Sequence, residues 1–346
     1  MSYRFSNEIV FRGHPDKVCD QISAAILQQA LAQDRSARAG IEVMGGKGNI
    51  FVTGEVSTTA NLDIEKIVKE QLSYIGYDPD GCHVIDNLGR QSPDIAQGVD
   101  KGGAGDQGVM YGFATAETEE MLPRAQVILQ EFASAYDRIR QTDSRYLPDG
   151  KAQITGLYDE DTGRLLSILD FVISYQNTEM DRPETDDRLE TLACTICDKH
   201  GVSVERIHFN PTGRFERGGF DADAGLTGRK IVVDSYQGFA RVGGGCMNGK
   251  DPTKVDLSGA HKARQIACSL VRCGYDRAEV QLSYAIGMRY PLSVLARVVA
   301  GGVAEILDMT EEAAEECTPR RMTEALHLLD ADFVELARYG HFRRAI

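Results

Sequence analysis

Apolar and polar residues alternate with a period of two in some stretches of the chain and with a helical period in others. In a first unit, Ala39–Met44 and Asn49–Ser57 alternate as strands around a glycine-rich turn, and Leu62–Ile75 then has helical spacing. Two further units are predicted: strands Ala152–Tyr158 and Leu165–Gln176 with a helix at Asp186–Lys199, and strands Glu279–Gly287 and Leu292–Val299 with a helix at Glu311–Leu329. This pattern predicts an α+β fold of three ββα-type units, each with a sheet that helices cover on one face.

Outside these units, the pattern predicts three more helices and two short strands. The helices are expected at Asp16–Gln33, Glu117–Gln141 and Ser258–Cys273, and one strand at Arg206–Phe209. The β-branched run 231–233 is predicted as a strand entered by Arg229 and Lys230, whose side chains would then lie on opposite faces. No linker stands out in the composition, and we expect domains at 1–99, 100–216 and 217–346.

The chain is acidic, which narrows the classes of partner. Its 346 residues carry 38 Lys+Arg against 52 Asp+Glu, a net charge of −14, which argues against non-specific binding to nucleic acid or to an anionic membrane. Because no long apolar run and no signal-peptide core is found, we expect a cytoplasmic protein whose eight cysteines are thiols. Cys194 and Cys197 form a C-x-x-C, but without a second pair they are interpreted as small buried helix residues rather than a zinc or redox site.

The segment Gly243–Asp256, G-G-G-C-M-N-G-K-D-P-T-K-V-D, combines the residue types that bind phosphate with its metal ion. Glycines allow backbone N–H groups to approach a ligand, lysine supplies positive charge, and aspartate can hold magnesium. The segment approaches a Walker A loop, but Asp251 stands where Ser or Thr is needed and no strand precedes it. A true P-loop is therefore disfavoured, and a flexible glycine-rich surface loop is the alternative.

Three other short motifs concentrate charge beside glycine or proline. G-H-P-D-K at 13–17 opens a helix, and with Asp20 it indicates either an anion and metal site or a capped helix with a solvated first turn. The loop G-A-G-D-Q-G at 103–108 could bring Asp106 to a ligand or could be a tight turn. Asp149 and Lys151 lie in a turn just before a strand, a common arrangement in itself.

Together these motifs resemble the S-adenosylmethionine synthetase (methionine adenosyltransferase) family. The matching blocks follow in order along nearly the whole chain: G-H-P-D-K at 13–17, D-Q-I-S at 20–23, G-A-G-D-Q-G at 103–108, P-T-G-R-F at 211–215, G-L-T-G-R-K at 225–230, G-K-D-P-T-K-V-D at 249–256, Y-A-I-G at 284–287 and Y-G-H-F at 339–342. Any one block is a weak signal, but this many in register are specific.

The resemblance implies an enzyme that joins ATP and methionine. The methionine sulfur attacks C5′ of ATP and displaces the triphosphate, which is cleaved to pyrophosphate and phosphate before release. A thioether has no proton to lose, so catalysis would rest on alignment and on charge stabilisation of the triphosphate. The resemblance also implies Mg²⁺ and K⁺, three domains with pseudo-threefold symmetry, and active sites shared between the subunits of a homodimer or homotetramer.

The resemblance assigns roles to residues that match the family motifs. His14 would lie near the leaving oxygen, four cations would hold phosphates, and three carboxylates would hold metal ions. The phosphate-binding cations are Lys151, Arg229, Lys230 and Lys250; the carboxylates are Asp16 and Asp256 for magnesium and Glu42 for potassium. The residues expected to bind ATP and methionine are Glu55, Gln97, Asp106, Asp149, Arg214, Phe215, Asp223, Cys246, Lys254 and Ile286.

The chain departs from the family pattern at several positions. Arg12 stands where the family usually has an acid, and Arg343 replaces a glycine. Cys246 and Met247 change the residues expected beside the nucleotide, and the segment from Gln97 to Gly103 is shorter than the usual gating loop. Two other functions stay open: a binding or regulatory relative without turnover, and an unrelated ATP-dependent kinase or ligase that uses the segment resembling Walker A.

Overall fold

The computed structural model describes residues 1–90, 102–178 and 182–343. Its strands are β1 (Ser2–Val10), β2 (Arg38–Gly46), β3 (Asn49–Ser57), β4 (His83–Gly89), β5 (Gly108–Thr115), β6 (Tyr146–Asp159), β7 (Leu165–Asn177), β8 (Val204–Phe209), β9 (Gly225–Leu226), β10 (Arg277–Tyr284), β11 (Ser293–Ala300) and β12 (Val303–Asp308). Its helices are α1 (Pro15–Gln33), α2 (Ile64–Ile75), α3 (Arg124–Arg140), α4 (Arg182–Lys199), α5 (Ile231–Asp234), α6 (Val255–Arg272), α7 (Thr310–Ala313), α8 (Pro319–Ala325) and α9 (Phe333–Tyr339).

These strands form three open four-stranded sheets, which confirms the predicted α+β class. The N-terminal sheet has the order β9-β2-β3-β4, the central sheet β1-β6-β7-β8 and the C-terminal sheet β5-β10-β11-β12. Each sheet is built on a predicted hairpin, and its first strand comes from another third of the chain. The domain boundaries 1–99, 100–216 and 217–346 remain a prediction. Strands β1, β5 and β9 each pair with a strand from another third of the chain, so each sheet combines strands from two of these ranges.

Each hairpin is preceded by a long helix that packs against its sheet. Helix α1 packs on β2 and β9, α3 on β6 and β1, and α6 on β5 and β10. The strand residues alternate accordingly; in β10, Ala278, Val280, Leu282 and Tyr284 are buried while their neighbours are only half-buried. One hydrophobic cluster spans the N- and C-terminal sheets, and a second fills the central unit.

The third unit departs from the predicted ββα form. Only Gly301 and Gly302 separate β11 from β12, so no helix intervenes there as α2 and α4 do in the other two units. The single helix predicted at Glu311–Leu329 is wrong, because the chain forms α7, α8 and a short 3₁₀ turn instead. Pro319 begins α8, at the first helical position where its missing N–H costs nothing.

Two other predicted elements also need correction. The helix expected from Glu117 begins only at Arg124, because Thr118 first closes a turn in which its hydroxyl donates to the Leu122 carbonyl at 2.8 Å. The run 231–233 is helix α5 rather than a strand, with the Asp234 N–H donating to the Lys230 carbonyl at 2.8 Å. Tertiary packing outweighs the β-propensity of three branched residues here.

The helical position predicted for Cys194 and Cys197 is confirmed, and their predicted burial holds for only one of them. Both lie in α4, where Cys197 is buried and Cys194 is half-buried, and all eight cysteines are free thiols. Across the described ranges, no group of three or more His, Cys, Asp or Glu side chains could hold a metal ion. Nor does any helix there have the length and apolarity needed to cross a membrane.

Candidate active site

The first group of candidate residues lies at the start of α1. His14 is the N-cap, and its Nδ1 accepts a hydrogen bond from the Asp16 N–H at 3.2 Å. The ring is buried, with 6% of its surface exposed. Burial, together with the charges of Lys230 and Lys151, lowers the pKa of His14 to about 3. The imidazole is therefore neutral at neutral pH, with its proton on Nε2.

The Asp16 carboxylate contacts two basic residues that follow β9, Arg229 and Lys230. Its Oδ1 accepts from the Leu226 N–H at 3.0 Å and lies 3.5 Å from Arg229 Nε, while its Oδ2 accepts from Lys230 Nζ at 2.5 Å. Burial acts to raise the pKa of Asp16, but the hydrogen bonds from Lys230 and the Leu226 N–H and the charge of Lys230 together lower it. The expectation that Arg229 and Lys230 lie on opposite faces is wrong, because they enter a helical turn and both approach one carboxylate.

Lys17 and Asp20, from the same motif, have structural contacts instead. Lys17 Nζ donates to both oxygens of Asp234 at 2.8 Å and to Asp20 Oδ2 at 3.0 Å. Its side chain is only 1% exposed, and the two carboxylates together raise its pKa against the effect of burial. Asp20 Oδ1 accepts from the Gly228 N–H at 2.9 Å. Half of the expected charge cluster is thus an internal ion pair.

Strand β6 brings Asp149 and Lys151 to the same place. Asp149 is buried, its Oδ2 accepts from the Gly219 N–H at 2.8 Å, and burial raises its pKa to about 6. Lys151 is exposed, and its charge acts on both Asp149 and His14. Asp223 also acts electrostatically on both groups, which places it nearby. We call His14, Asp16, Asp149, Lys151, Arg229 and Lys230 the α1 cluster.

The start of α6 repeats the arrangement seen at α1. Asp256, in the first turn, accepts from the Gly245 N–H at 2.8 Å through Oδ1 and from Lys250 Nζ at 2.5 Å through Oδ2. Lys254 Nζ lies 3.3 Å from Asp251 Oδ2 and 3.7 Å from Glu55 Oε1. The α6 cluster comprises Glu42, Glu55, Lys250, Lys254 and Asp256.

Burial affects two further groups at the α6 cluster, the carboxylate of its member Glu42 and the thiol of Cys246. Burial raises the pKa of Glu42, and the positive charge of Lys250 partly offsets this. Cys246 packs so closely on Gly228 that a Cβ at position 228 would lie 2.7 Å from the Cys246 Cβ. Burial and the charges of Asp20 and Glu42 raise the pKa of Cys246 well above its usual value, so it is a thiol. Met247, the neighbouring departure, is a buried core residue.

The segment resembling Walker A is not a P-loop in the structure. No strand directly precedes Gly244, and helix α6 begins only at Val255. Asp251, at the position where Ser or Thr would meet magnesium, is 0% exposed and its Oδ2 accepts from the Ala39 N–H at 2.8 Å. Asp251 therefore anchors the segment to β2.

The remaining candidate residues lie at the surface or outside the described residues. Asp106 and Ile286 are exposed, on loops joined where the Gly287 N–H donates to the Ala104 carbonyl at 2.8 Å. Arg214 pairs with Glu216 at 2.6 Å beside the half-buried Phe215. Gln97 and most of the shortened segment lie outside the described residues, so no position can be given for them.

Two departures from the family pattern prove to be packing residues. Arg12 is 1% exposed, with NH1 3.2 Å from Asp137 Oδ2 and its guanidinium carbon 4.2 Å from the centre of the Tyr74 ring. Arg343 bonds Glu335 at 2.8 Å and the Ser134 hydroxyl at 3.1 Å. Neither pairs with a member of the α1 or α6 cluster in these contacts.

Of two cavities among the described residues, one borders the α1 cluster and the other lies away from both clusters. A cavity of about 200 Å³ is lined by Arg229 and Lys230, below the range of about 300–1,000 Å³ usual for small-molecule sites. A cavity of about 530 Å³ lies elsewhere, between β1 and the C-terminal sheet, and is lined by Arg241, Arg277 and Arg297.

The sequence matches three family models in succession. Residues 2–93 match the N-terminal domain of S-adenosylmethionine synthetase, residues 101–215 its central domain and residues 217–346 its C-terminal domain. The chain belongs to the S-adenosylmethionine synthetase family. Among curated proteins, the chain is similar to the S-adenosylmethionine synthase of Parasynechococcus marenigrum, at 38% identity over 99% of this chain and 92% of the relative. It is also similar to the S-adenosylmethionine synthase of Fusobacterium nucleatum subsp. nucleatum, at 39% identity over 98% of this chain and 93% of the relative.

Some residues that shape the clusters were not among the predicted site residues. Asp234 follows an apolar run, and Asn248 lies within the segment 243–256 without an assigned role, yet both are buried and hydrogen-bonded. Tyr77, beyond α2, donates its hydroxyl proton to the Gly13 carbonyl at 2.6 Å. An acidic residue directly after an apolar run, as at Asp234, was the one sequence signal that could have indicated a buried polar residue.

Proposed function

We propose that the chain forms S-adenosylmethionine from ATP and methionine and hydrolyses the displaced triphosphate to phosphate and pyrophosphate. The observation that carries the proposal is the repeated lysine–aspartate pair, Lys230 with Asp16 and Lys250 with Asp256. In both pairs the aspartate lies in the first turn of a long helix. Each pair combines a phosphate-binding cation with an oxygen ligand for a divalent metal at the positive end of a helix dipole.

In the transfer step, a sulfur lone pair forms the S–C5′ bond while the C5′–oxygen bond breaks and its electrons leave with the triphosphate. His14 suits the leaving oxygen, because its Nδ1 is occupied by the Asp16 N–H and its Nε2–H is left to donate. A thioether nucleophile needs no general base, and neutral His14 is not required to act as one.

The developing charge on the triphosphate is assigned to the cations of both clusters. Lys151, Arg229, Lys230 and Lys250 would hold phosphate oxygens, and pre-placed charges of this kind stabilise a transition state without reorganisation. Binding of ATP and methionine is assigned to Glu55, Gln97, Asp106, Asp149, Arg214, Phe215, Asp223, Cys246, Lys254 and Ile286. Phe215 would stack on adenine, and Ile286 would pack near it.

The carboxylates fit magnesium that is carried on a triphosphate. Mg²⁺ usually keeps several waters and binds one or two carboxylates plus substrate phosphates. This coordination agrees with one aspartate at each helix start, Asp16 and Asp256. It also agrees with the lack, in the described ranges, of any group of three or more His, Cys, Asp or Glu side chains that could hold a metal ion. We assign Mg²⁺ to Asp16 and Asp256, and K⁺ to Glu42, whose burial leaves its carboxylate in need of a cation. Bound metal would neutralise phosphate charge.

A second subunit would complete the site. Lys151, Arg229, Asp106, Asp223 and Ile286 are exposed in the single chain, and the cavity at Arg229 is small for ATP. We therefore propose a homodimer or homotetramer in which the α1 cluster of one subunit and the α6 cluster of another share the substrates. We also propose a cytoplasmic location, because the eight cysteines are free thiols and thiols are kept reduced in the cytosol.

One assay separates this function from the others. The chain is incubated with ATP, methionine, Mg²⁺ and K⁺, and S-adenosylmethionine, pyrophosphate, ADP and AMP are measured. S-adenosylmethionine with pyrophosphate is the expected result. Nucleotide binding without product would indicate a regulatory relative, and ADP or AMP would indicate a kinase or ligase; either outcome overturns the proposal.

A further inference from the structure

A chain of buried polar side chains connects the two helices that carry the clusters. Its members are Lys17 and Asp20 on α1, Asp234 on α5, Asn248 before α6, His261 on α6 and His341 near the C-terminus, and none is more than 5% exposed. Lys17 joins Asp20 to Asp234, as described above. The Asn248 side chain hydrogen-bonds Asp234, His341 Nε2 lies 2.8 Å from Asn248 Oδ1, and His341 Nδ1 lies 3.4 Å from His261 Nε2.

The contacts fix the direction of each hydrogen bond. The Asn248 amide donates to the Asp234 carboxylate, so its Oδ1 must accept the proton on His341 Nε2. His341 Nδ1 is then an acceptor for the Nε2–H of His261. Burial lowers the pKa of His261 to about 4 and the pKa of His341 well below its usual value, which keeps both rings neutral.

These buried polar side chains contact both phosphate-binding segments, one through a backbone N–H and the other through the Asn248 side chain. Asp20 accepts the Gly228 N–H, one residue before Arg229 and two before Lys230. Asn248 lies two residues before Lys250, in a segment that also supplies the Gly245 N–H to Asp256. The His341 N–H donates to the Asp234 carbonyl at 3.1 Å, which ties the C-terminal segment to α5.

We infer that His341 is a positioning residue, which holds Asn248 and thereby sets the place of Lys250 relative to Asp256 and to the α1 cluster. The inference deepens the proposed function and rests on it for the role of Lys250. His341 has no direct part in the chemistry, because its ring is 3% exposed and its Nε2 is occupied by Asn248. A buried carbonyl oxygen left without its donor lets the segment shift, and small displacements of a charge reduce turnover.

The test compares His341→Leu, which removes the donor, with His341→Gln, whose amide N–H can take the place of Nε2–H. His341→Leu should lower kcat for triphosphate hydrolysis by about tenfold or more, while His341→Gln should recover most of it. Amide hydrogen exchange of residues 243–250 should rise in the Leu variant and stay near the wild-type rate in the Gln variant. The exchange measurement needs no activity, so it judges the positioning even if no S-adenosylmethionine is formed.

Tyr158→Phe is the matched control, because it removes a buried hydrogen bond of 2.8 Å to Asn7 in the central sheet. It should leave both kcat and exchange at 243–250 unchanged. The inference is overturned if Tyr158→Phe lowers kcat as much as His341→Leu, or if His341→Leu leaves exchange at 243–250 unaltered. Should His341→Leu not fold, Asn248→Ala breaks the same bond from the other side, and unchanged kcat and exchange in it would also overturn the inference.

Discussion

Helices α1, α3 and α6 occupy the same place in the three units, each before a hairpin and packed on its sheet, but their first turns differ. Helices α1 and α6 each begin with a buried aspartate that holds a backbone N–H and a partly exposed lysine. Helix α3 has no acid in its first turn. Its end is satisfied by Glu117, whose oxygens accept the N–H groups of Arg124 at 3.0 Å and Leu165 at 2.8 Å.

This comparison separates carboxylates that are available to a ligand from one that is used up by the fold. Glu117 spends both oxygens on backbone donors from two parts of the central unit. Asp16 and Asp256 each give one oxygen to a lysine, Lys230 at 16% or Lys250 at 19% exposure, whose ammonium group a phosphate could attract instead. The same position in the fold is thus proposed to serve binding in two units, whereas in the third it serves stability.

The largest expected effect is that of Asp16→Asn on turnover. The amide oxygen can still accept the Leu226 N–H, so the melting temperature should stay close to wild type, while kcat should fall about 10²–10³-fold through loss of a preorganised charge. Asp256→Asn should lower kcat similarly. Steady-state assays at ordinary magnesium measure both, and wild-type kcat in either variant would contradict the assignment of that helix end.

His14→Asn should separate the two half-reactions. Of α1, α3 and α6, only α1 has a histidine at its N-cap, and asparagine keeps the cap while removing the ring that is assigned to the leaving oxygen. Formation of S-adenosylmethionine should fall at least about tenfold more than hydrolysis of supplied triphosphate. Equal losses in the two assays would instead indicate a general phosphate-binding or structural role.

Glu117→Ala should have the opposite signature to Asp16→Asn. Two buried backbone N–H groups lose their acceptor, which should lower the free energy of unfolding by about 1–3 kcal/mol. The kcat of the folded protein should not change. Urea unfolding and assays at a temperature where the variant is fully folded measure the two quantities, and a loss of kcat without a loss of stability would break the comparison.

The smallest expected effect is on how the free energy of unfolding changes with pH, through His261 in α6. The pKa of His261 falls to about 4 in the fold, from its usual 6.5, because of burial. Between pH 6.5 and about 4 the unfolded chain binds the extra proton, so stability falls with acidification, by at most about 1.4 kcal/mol per pH unit for one histidine. His261→Gln should have a shallower slope in denaturant titrations across this window, and an unchanged slope would show that His261 titrates alike in both states.

Much of the fold could be predicted from local pattern. The three hairpins, α1, α2 and α6 were predicted within a few residues, because alternation and helical spacing record which face of an element is buried. The α+β class followed from them. The motifs at 13–17, 225–230 and 249–256 also marked the segments whose charged residues meet at the starts of α1 and α6, since glycine and proline mark turns for local steric reasons.

Contacts between distant segments depended on the tertiary structure. No local signal could tell that β1, β5 and β9 each join a sheet built in another third of the chain, or that 231–233 would be a helical turn delivering Lys230 to Asp16. Lys17, which lies in a motif typical of an anion site, is an ion-pair partner of Asp234, 217 residues away. The sequence determined which elements and charges are present; packing between remote segments decided which charges neutralise one another and which are left for a substrate, because burial and pairing are properties of the assembled core.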